Sequence, residues 1–208
     1  FTSISSIRTH IKLQNVNFIV IKKWAPGIIT GSITGSLYAS STKGETLFLI
    51  FIFLLFLVSL NMFFQKKFIL LGKELPKNIF HNFAISNIIG FLSVLIGIGG
   101  GSFSVPTLSS FSISIHKAVG TSAVIGFFIA VPGVITYVIT GNNINGLPPY
   151  SLGYANFMII FFVSSMSVIT ANIGAKFSSR TKTSTLKKIF AVFLFCTCIS
   201  LIIEHFIF

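Results

Sequence analysis

Long apolar runs alternate along the chain with short polar and basic clusters, and the runs fall at residues 24–41, 46–64, 84–115, 118–140, 152–175 and 189–208. A bilayer core about 30 Å thick is crossed by about 20 apolar residues in an α-helix, so most of these runs have the length of one crossing. The run 84–115 does not. As one straight helix its 32 uncharged residues would extend about 48 Å. It is interrupted by Gly97, Gly99, Gly100, Gly101 and Pro106, so the pattern predicts a re-entrant or broken helix there and plain transmembrane helices elsewhere. The fold class expected is an all-α polytopic integral membrane protein.

Composition removes the soluble alternative. The 208 residues are 53% hydrophobic and only 9% charged, with 25 Phe and no Asp, and mean hydropathy is +0.93. A soluble domain carries about a quarter charged residues. The net charge of +12, from 15 Lys and Arg against 3 Glu, does not indicate nucleic acid, because the basic residues sit in clusters between apolar runs, as in multi-spanning membrane proteins. The expected surroundings are therefore a lipid bilayer, with homo-oligomerisation possible in principle. Cys196 and Cys198, one residue apart within an apolar run, exclude a disulfide framework and a four-Cys metal site; no metal or cofactor is expected. The chain opens at Phe1 on a short apolar piece, residues 1–7, with no Met and no basic lead, and is expected to lack an N-terminal part.

Basic residues also test topology, since they concentrate on the cytoplasmic side. With run 84–115 crossing once, one side receives Arg8, Lys12, Lys22, Lys23, Lys66, Lys67, Lys73 and Lys77. The other receives Lys43, Lys117, Lys176, Arg180, Lys182, Lys187 and Lys188, an uninformative split of 8 against 7. If the run enters and returns as a hairpin, the split becomes 14 against 1, with Lys43 alone outside. The hairpin is preferred, which puts the connection 141–150 outside.

Sliding the chain on itself by 139 residues aligns 35–51 with 174–190, and 8 of 17 positions are identical, among them Gly35/Gly174, Thr42/Thr181, Lys43/Lys182 and Phe51/Phe190. An ancestral duplication is expected, inverted under the hairpin topology, as in many secondary transporters. The alternative is two similar helix-loop-helix edges in a low-diversity chain.

The densest polar feature is the stretch 97–106, Gly-Ile-Gly-Gly-Gly-Ser-Phe-Ser-Val-Pro, followed by Gly120-Thr121-Ser122. Each Gly in a helix costs about 1 kcal/mol against Ala, and irregular backbone at membrane depth survives only where protein or a wet cavity surrounds it. The run therefore predicts a break with exposed amides and a new helix starting near Ser102 to Ser104, with Pro106 in its first turn. Such a helix start binds anions without a charged side chain. The candidate substrate-binding residues are Gly99, Gly100, Gly101, Ser102, Pro106, Gly120, Thr121 and Ser122. The competing reading is close helix packing through small residues. No Lys follows the Gly run, so it is not a nucleotide phosphate loop.

Gly-Ile-Gly-Gly-Gly with Val105-Pro106, then Ala118-Val119-Gly120-Thr121-Ser122, resembles the TauE/SafE sulfite-exporter family of bacterial permeases, in which this block begins a repeated half. Residues 1–6, with His10 and the Gln14-Asn15-Val16-Asn17 segment, resemble the end of the corresponding helix and loop of the first half. The first half's own Gly block is absent from these residues. The resemblance divides the chain into 1–72, the remainder of the first half, and 73–208, the second half. It implies an inner-membrane permease moving sulfite, a sulfonate or another small organosulfur anion.

The other polar residues have plainer readings. His81, Asn82, Asn87 and His116 are expected at the membrane interface, Asn156 and Asn172 as interhelical hydrogen-bond partners, and Cys196 and Cys198 as packing residues. Glu45 and Glu74 lie in loops and Glu204 near the C-terminal end, so no buried acid is expected to carry protons. The function expected is an alternating-access anion permease, not an enzyme: Asp is absent, and so is any His-Glu-x-x-His helix. A non-transporting scaffold or assembly subunit is the alternative, and it leaves the triple Gly unexplained.

Overall fold

The computed structural model describes residues 2–63, 72, 74–97, 99–142, 144 and 146–207. Among them the chain forms eight helices: α1 (Thr2–Lys12), α2 (Phe18–Ser41), α3 (Gly44–Phe63), α4 (Ile79–Ile96), α5 (Gly101–Ser110), α6 (Ile115–Gly141), α7 (Phe157–Arg180) and α8 (Thr183–Ile207). A short antiparallel hairpin, β1 (Ser151–Leu152) against β2 (Ala155–Asn156), precedes α7. It occupies the start of the expected span 152–175, because Gly153 takes a left-handed φ of 56° and turns the chain there. Among the described residues, Ile115–Gly141 and the Phe157–Phe177 part of α7 are long and apolar enough to cross a membrane; Gly44–Leu57, Ile79–Leu95 and Ala191–Ile203 are shorter apolar helices. Lys66, Lys67 and Lys73 of the charge count, and Ile98 of the Gly block, lie outside the described residues.

Small polar residues join Trp24, Ile28, Leu108 and Ile125 in the interior, while many large apolar side chains face outward. Ser32, Ser36, Ser86, Ser93, Ser104 and Thr121 are buried, whereas Phe157, Phe161, Phe162, Val163, Met166 and Ile173 of α7 are mostly exposed. A bare face of this size is a surface for lipid or protein. Some buried hydroxyls are satisfied within their own helices, Ser36 donating to the Ser32 carbonyl at 2.8 Å and Thr136 to that of Pro132 at 2.9 Å, whereas those of Ser93 and Ser104 have no partner among the described residues.

Helix α2 packs on α4 through Gly27, Gly31 and Gly35, spaced four apart on one face. A Cβ at Gly27 would lie 2.6 Å from the Phe83 carbonyl oxygen, one at Gly31 would collide with the Asn87 backbone, and one at Gly35 would lie 2.7 Å from the Phe91 carbonyl oxygen. Only Gly lets the two backbones approach so closely. The partners climb together along both helices, so α2 and α4 run parallel. Helix α6 also runs parallel to α2: Asn17 meets Thr121 at one end, and farther along Ser32 donates to the Ile129 carbonyl at 2.7 Å. Conversely, Ser3 of α1 neighbours Gly126 while Asn15, just after α1, meets Gly120; α1 therefore opposes α6. It runs with α7 instead, Thr2 bonding Ser167 and Ser5 the Val168 carbonyl.

The offset of 139 recurs in the helix ends. Phe18 and Phe157 open α2 and α7, Ser41 and Arg180 close them, and Gly44 and Thr183 open α3 and α8. The side chains of Asn17 and Asn156 cap α2 and α7 by accepting first-turn amides, those of Ile19 and Val20 and that of Ile159 respectively. Thr42 and Thr181 follow the two helices, their hydroxyls donating at 2.7 Å to the carbonyls of Tyr38 and Phe177.

The long run 84–115 is broken where the Gly cluster predicts. Gly97 ends α4 in a left-handed conformation (φ 66°), and α5 starts at Gly101. That start is earlier than expected: Gly100 already has right-handed helical angles, and the Ser104 amide donates to its carbonyl at 3.0 Å. Pro106 is consequently the sixth residue of α5, beyond the first turn.

Candidate functional site

A cavity of about 310 Å³ lies where α1, α5, α6 and α7 meet. Gly99, Gly100, Gly101 and Ser102 border it from the helix break, and Ser122 and Gly126 from α6. Opposite them stand Thr2, Ser3, Ser6 and His10 of α1, with Ala171 of α7. The three glycines play different parts. A Cβ at Gly100 would lie 2.9 Å from Ile125 Cγ2 and 3.0 Å from the Gly126 nitrogen, so this residue seats the break against α6. A Cβ at Gly99 would meet nothing within 4 Å, and one at Gly101 only Ser122 Oγ at 3.8 Å; these two backbones are open.

The cavity is rich in donors. In the first turn of α5 the Ser102 and Ser104 amides donate to the Gly99 and Gly100 carbonyls at 3.5 and 3.0 Å, and among the described residues no such bond joins those of Gly101 and Phe103; the positive end of the helix dipole is there. Ser102 and Ser122 are buried, and the Ser122 hydroxyl donates to the Val119 carbonyl at 2.8 Å. Across from them His10 is 2% exposed, and its Nδ1 has no hydrogen-bond partner among the described residues. Among the described residues no Asp, Glu, Lys or Arg lines the space. An acceptor-rich, negatively charged ligand of modest size matches such a lining, and a cation would find no carboxylate. Among the described residues no cluster of His, Cys, Asp or Glu could hold a metal ion.

Two larger cavities share lining residues in series with this one. A space of about 550 Å³ between α6 and α7 shares Thr2 and Ser3 with it. A third, about 650 Å³, shares Val134, Ile159 and Ile160 with the second and reaches Thr42, Tyr154 and Asn156 beside the hairpin.

Five of the eight candidate residues, Gly99, Gly100, Gly101, Ser102 and Ser122, thus border one cavity, while Pro106, Gly120 and Thr121 are outside its lining. Thr121 is fully buried, and its hydroxyl accepts the Asn17 amide at 2.9 Å. Gly120 abuts Asn15, where a Cβ would press on the backbone carbonyl. Both hold the α1–α2 connection. Asn82, expected at the interface, is 2% exposed: it accepts from Trp24 Nε1 at 3.1 Å and donates to the Pro76 and Asn78 carbonyls. Asn156 is a helix cap, not an interhelical partner, and its amide group donates to the Pro149 carbonyl and to Ser151 Oγ. Asn87 does bond across helices, to Thr30 Oγ1 at 2.9 Å. The side chains of Asn172 and Glu204 lie outside the described residues. Sequence reasoning gave His10 and Ser6 no role, although Thr2, Ser6 and His10 recur every fourth residue, the spacing of one helix face.

The family model described as "Sulfite exporter TauE/SafE" matches residues 1–201. A protein of Haemophilus influenzae named "Probable membrane transporter protein" is 30% identical over 204 residues, spanning 98% of this chain and 76% of the relative. The "Probable membrane transporter protein YunE" of Bacillus subtilis is 26% identical over 227 residues, spanning 98% and 77%. A similarly named protein of Methanocaldococcus jannaschii is 26% identical over 186 residues, spanning 86% and 66%. No solved structure matches the chain.

Proposed function

Because the chain belongs to the sulfite exporter TauE/SafE family, a family of membrane transporters, we propose that it carries a small oxyanion, such as sulfite, a sulfonate or another organosulfur anion, across the inner membrane. One observation carries the substrate class: the cavity joins the start of α5 to buried hydroxyls and a buried imidazole, and among the described residues no charged side chain lines it. Fixed amide donors suit an anion whose charge is spread over several oxygens. At about 310 Å³ the space is at the small end of ligand sites.

Alternating access between two inverted halves, residues 1–72 and 73–208, is the mechanism proposed. The matched caps at an offset of 139 favour a duplication. The helix directions favour inversion: α2 runs with α6, α6 opposes α1, and α1 runs with α7, so α2 and α7 point opposite ways. Since α4 and α6 both run parallel to α2, α5 returns the chain toward the face from which α4 set out, as a re-entrant hairpin requires. The basic clusters then share one face and Lys43 takes the other, where a cavity of about 650 Å³ opens beside Thr42.

Accumulation of labelled sulfite in proteoliposomes holding the full chain, above that in protein-free vesicles, tests the proposal. Uptake no faster than in protein-free vesicles, by a chain correctly inserted, overturns it.

A further inference from the structure

Resting on the anion site just proposed, a second property follows from the residue opposite the helix start. His10 is buried at the inner wall of the cavity and its Nδ1 lacks a hydrogen-bond partner among the described residues. A buried, unpaired ring nitrogen is a cost the fold does not need to carry for packing alone. An apolar side chain would fill the position without it.

We propose that His10 is the proton-carrying group of this site, so that anion and proton are bound together. The neutral ring takes a proton from the aqueous phase at a ring nitrogen and becomes imidazolium, and the added charge faces the anion held at Gly99–Ser102. Among the described residues nothing else in the cavity can do this, since its other polar side chains are Ser and Thr hydroxyls. The elements packed against α1 carry His116 and Lys117 at the start of α6 and Lys176 and Arg180 near the end of α7; α1 itself carries Arg8 and Lys12. None of these lines the cavity, and α5 has no titratable side chain. No carboxylate lies on α1, α5, α6 or α7. A histidine titrates in the physiological range, and linkage requires that a proton favouring the anion be favoured by it equally.

Binding of labelled isethionate to the purified full chain in detergent tests this, because a sulfonate keeps its charge between about pH 5.5 and about pH 8, either side of the histidine range. The expected result is binding on the order of ten- to a hundredfold tighter at the lower pH, with protons taken up from a weakly buffered solution as the anion is added. His10→Gln should bind with one affinity at both pH values, and His81→Gln should behave like the unmodified chain. Proton uptake by the unmodified chain needs no variant, so a misfolded His10→Gln leaves the test intact. Isethionate binding that is equally tight at both pH values, or that keeps its pH dependence in His10→Gln, overturns the proton role and leaves the anion site standing. Absence of binding at either pH overturns both.

Discussion

Thr121 and Ser122 are neighbours in sequence and adjacent candidates for hydroxyl ligands, yet their structural surroundings assign them separate tasks. Thr121→Val keeps the side-chain shape and removes the oxygen that accepts the Asn17 amide at 2.9 Å in a fully buried position. A buried donor left without its acceptor costs about 1–3 kcal/mol. For a chain of this length each kcal/mol shifts the melting temperature by about 2–4 °C, so a fall of roughly 2–12 °C is expected. The α1–α2 connection loosens while the cavity wall stays in place. Ser122→Ala should do the opposite: its hydroxyl donates only to a carbonyl three residues back in the same helix, so stability is nearly unchanged. To reach an anion the hydroxyl's single proton must turn away from that carbonyl, so losing it should weaken binding by the net worth of one exchanged hydrogen bond, about two- to tenfold. Thermal melts in detergent and equilibrium binding of labelled isethionate, run on both variants, separate the two effects. If Thr121→Val melts like the unmodified chain and binds tenfold more weakly, the division of labour argued here is wrong.

Three further outcomes follow from the packing and the charge pattern. Gly35→Ala places a methyl 2.7 Å from the Phe91 carbonyl oxygen, whereas Gly174→Ala meets nothing within 4 Å; the first should lower the melting temperature, with overpacking costing about 1–3 kcal/mol, and the second should raise it by up to about 1 kcal/mol of helix propensity. Asn82→Leu strands the Trp24 indole N–H and should cost about 1–3 kcal/mol in denaturant or thermal unfolding. Cysteine probes at Lys43 and at Arg180, in a background lacking Cys196 and Cys198, should label from opposite faces of sealed vesicles; labelling from one face would refute the hairpin topology.

Most of the helix plan was legible because apolar length and glycine clustering are local signals. The break at 97–100 could be read from the cost of consecutive glycines, and the cap residues Thr42 and Thr181 were within the detected repeat. What could not be read was direction. Consecutive helix residues point about 100° apart, and nothing in the triplet Gly120-Thr121-Ser122 says which of them faces a cavity, since that depends on where α1 lies. His10 was hidden for the same reason: its partners across the cavity come from α5, α6 and α7, distant in sequence. Asn82 reads as interfacial in the sequence because its partner Trp24 is far away along the chain. Gly133, a small residue that looks replaceable, faces Val94 Cγ2, which a Cβ would approach to 2.7 Å; Gly174 is the better mild control.

Ser102→Asp confronts the anion site most directly. The carboxylate would sit in the first turn of α5, where the helix dipole favours negative charge by about 0.3–1 kcal/mol; because Ser102 is buried, desolvation opposes that gain, so a thermal melt accompanies the uptake assay. It would also occupy the donors proposed for the substrate and repel any anion entering the cavity. In proteoliposomes the folded, inserted variant should take up no labelled sulfite above protein-free vesicles, while Gly174→Ala transports as the unmodified chain does. Sulfite uptake by Ser102→Asp at the unmodified rate would contradict an anion site at the start of α5.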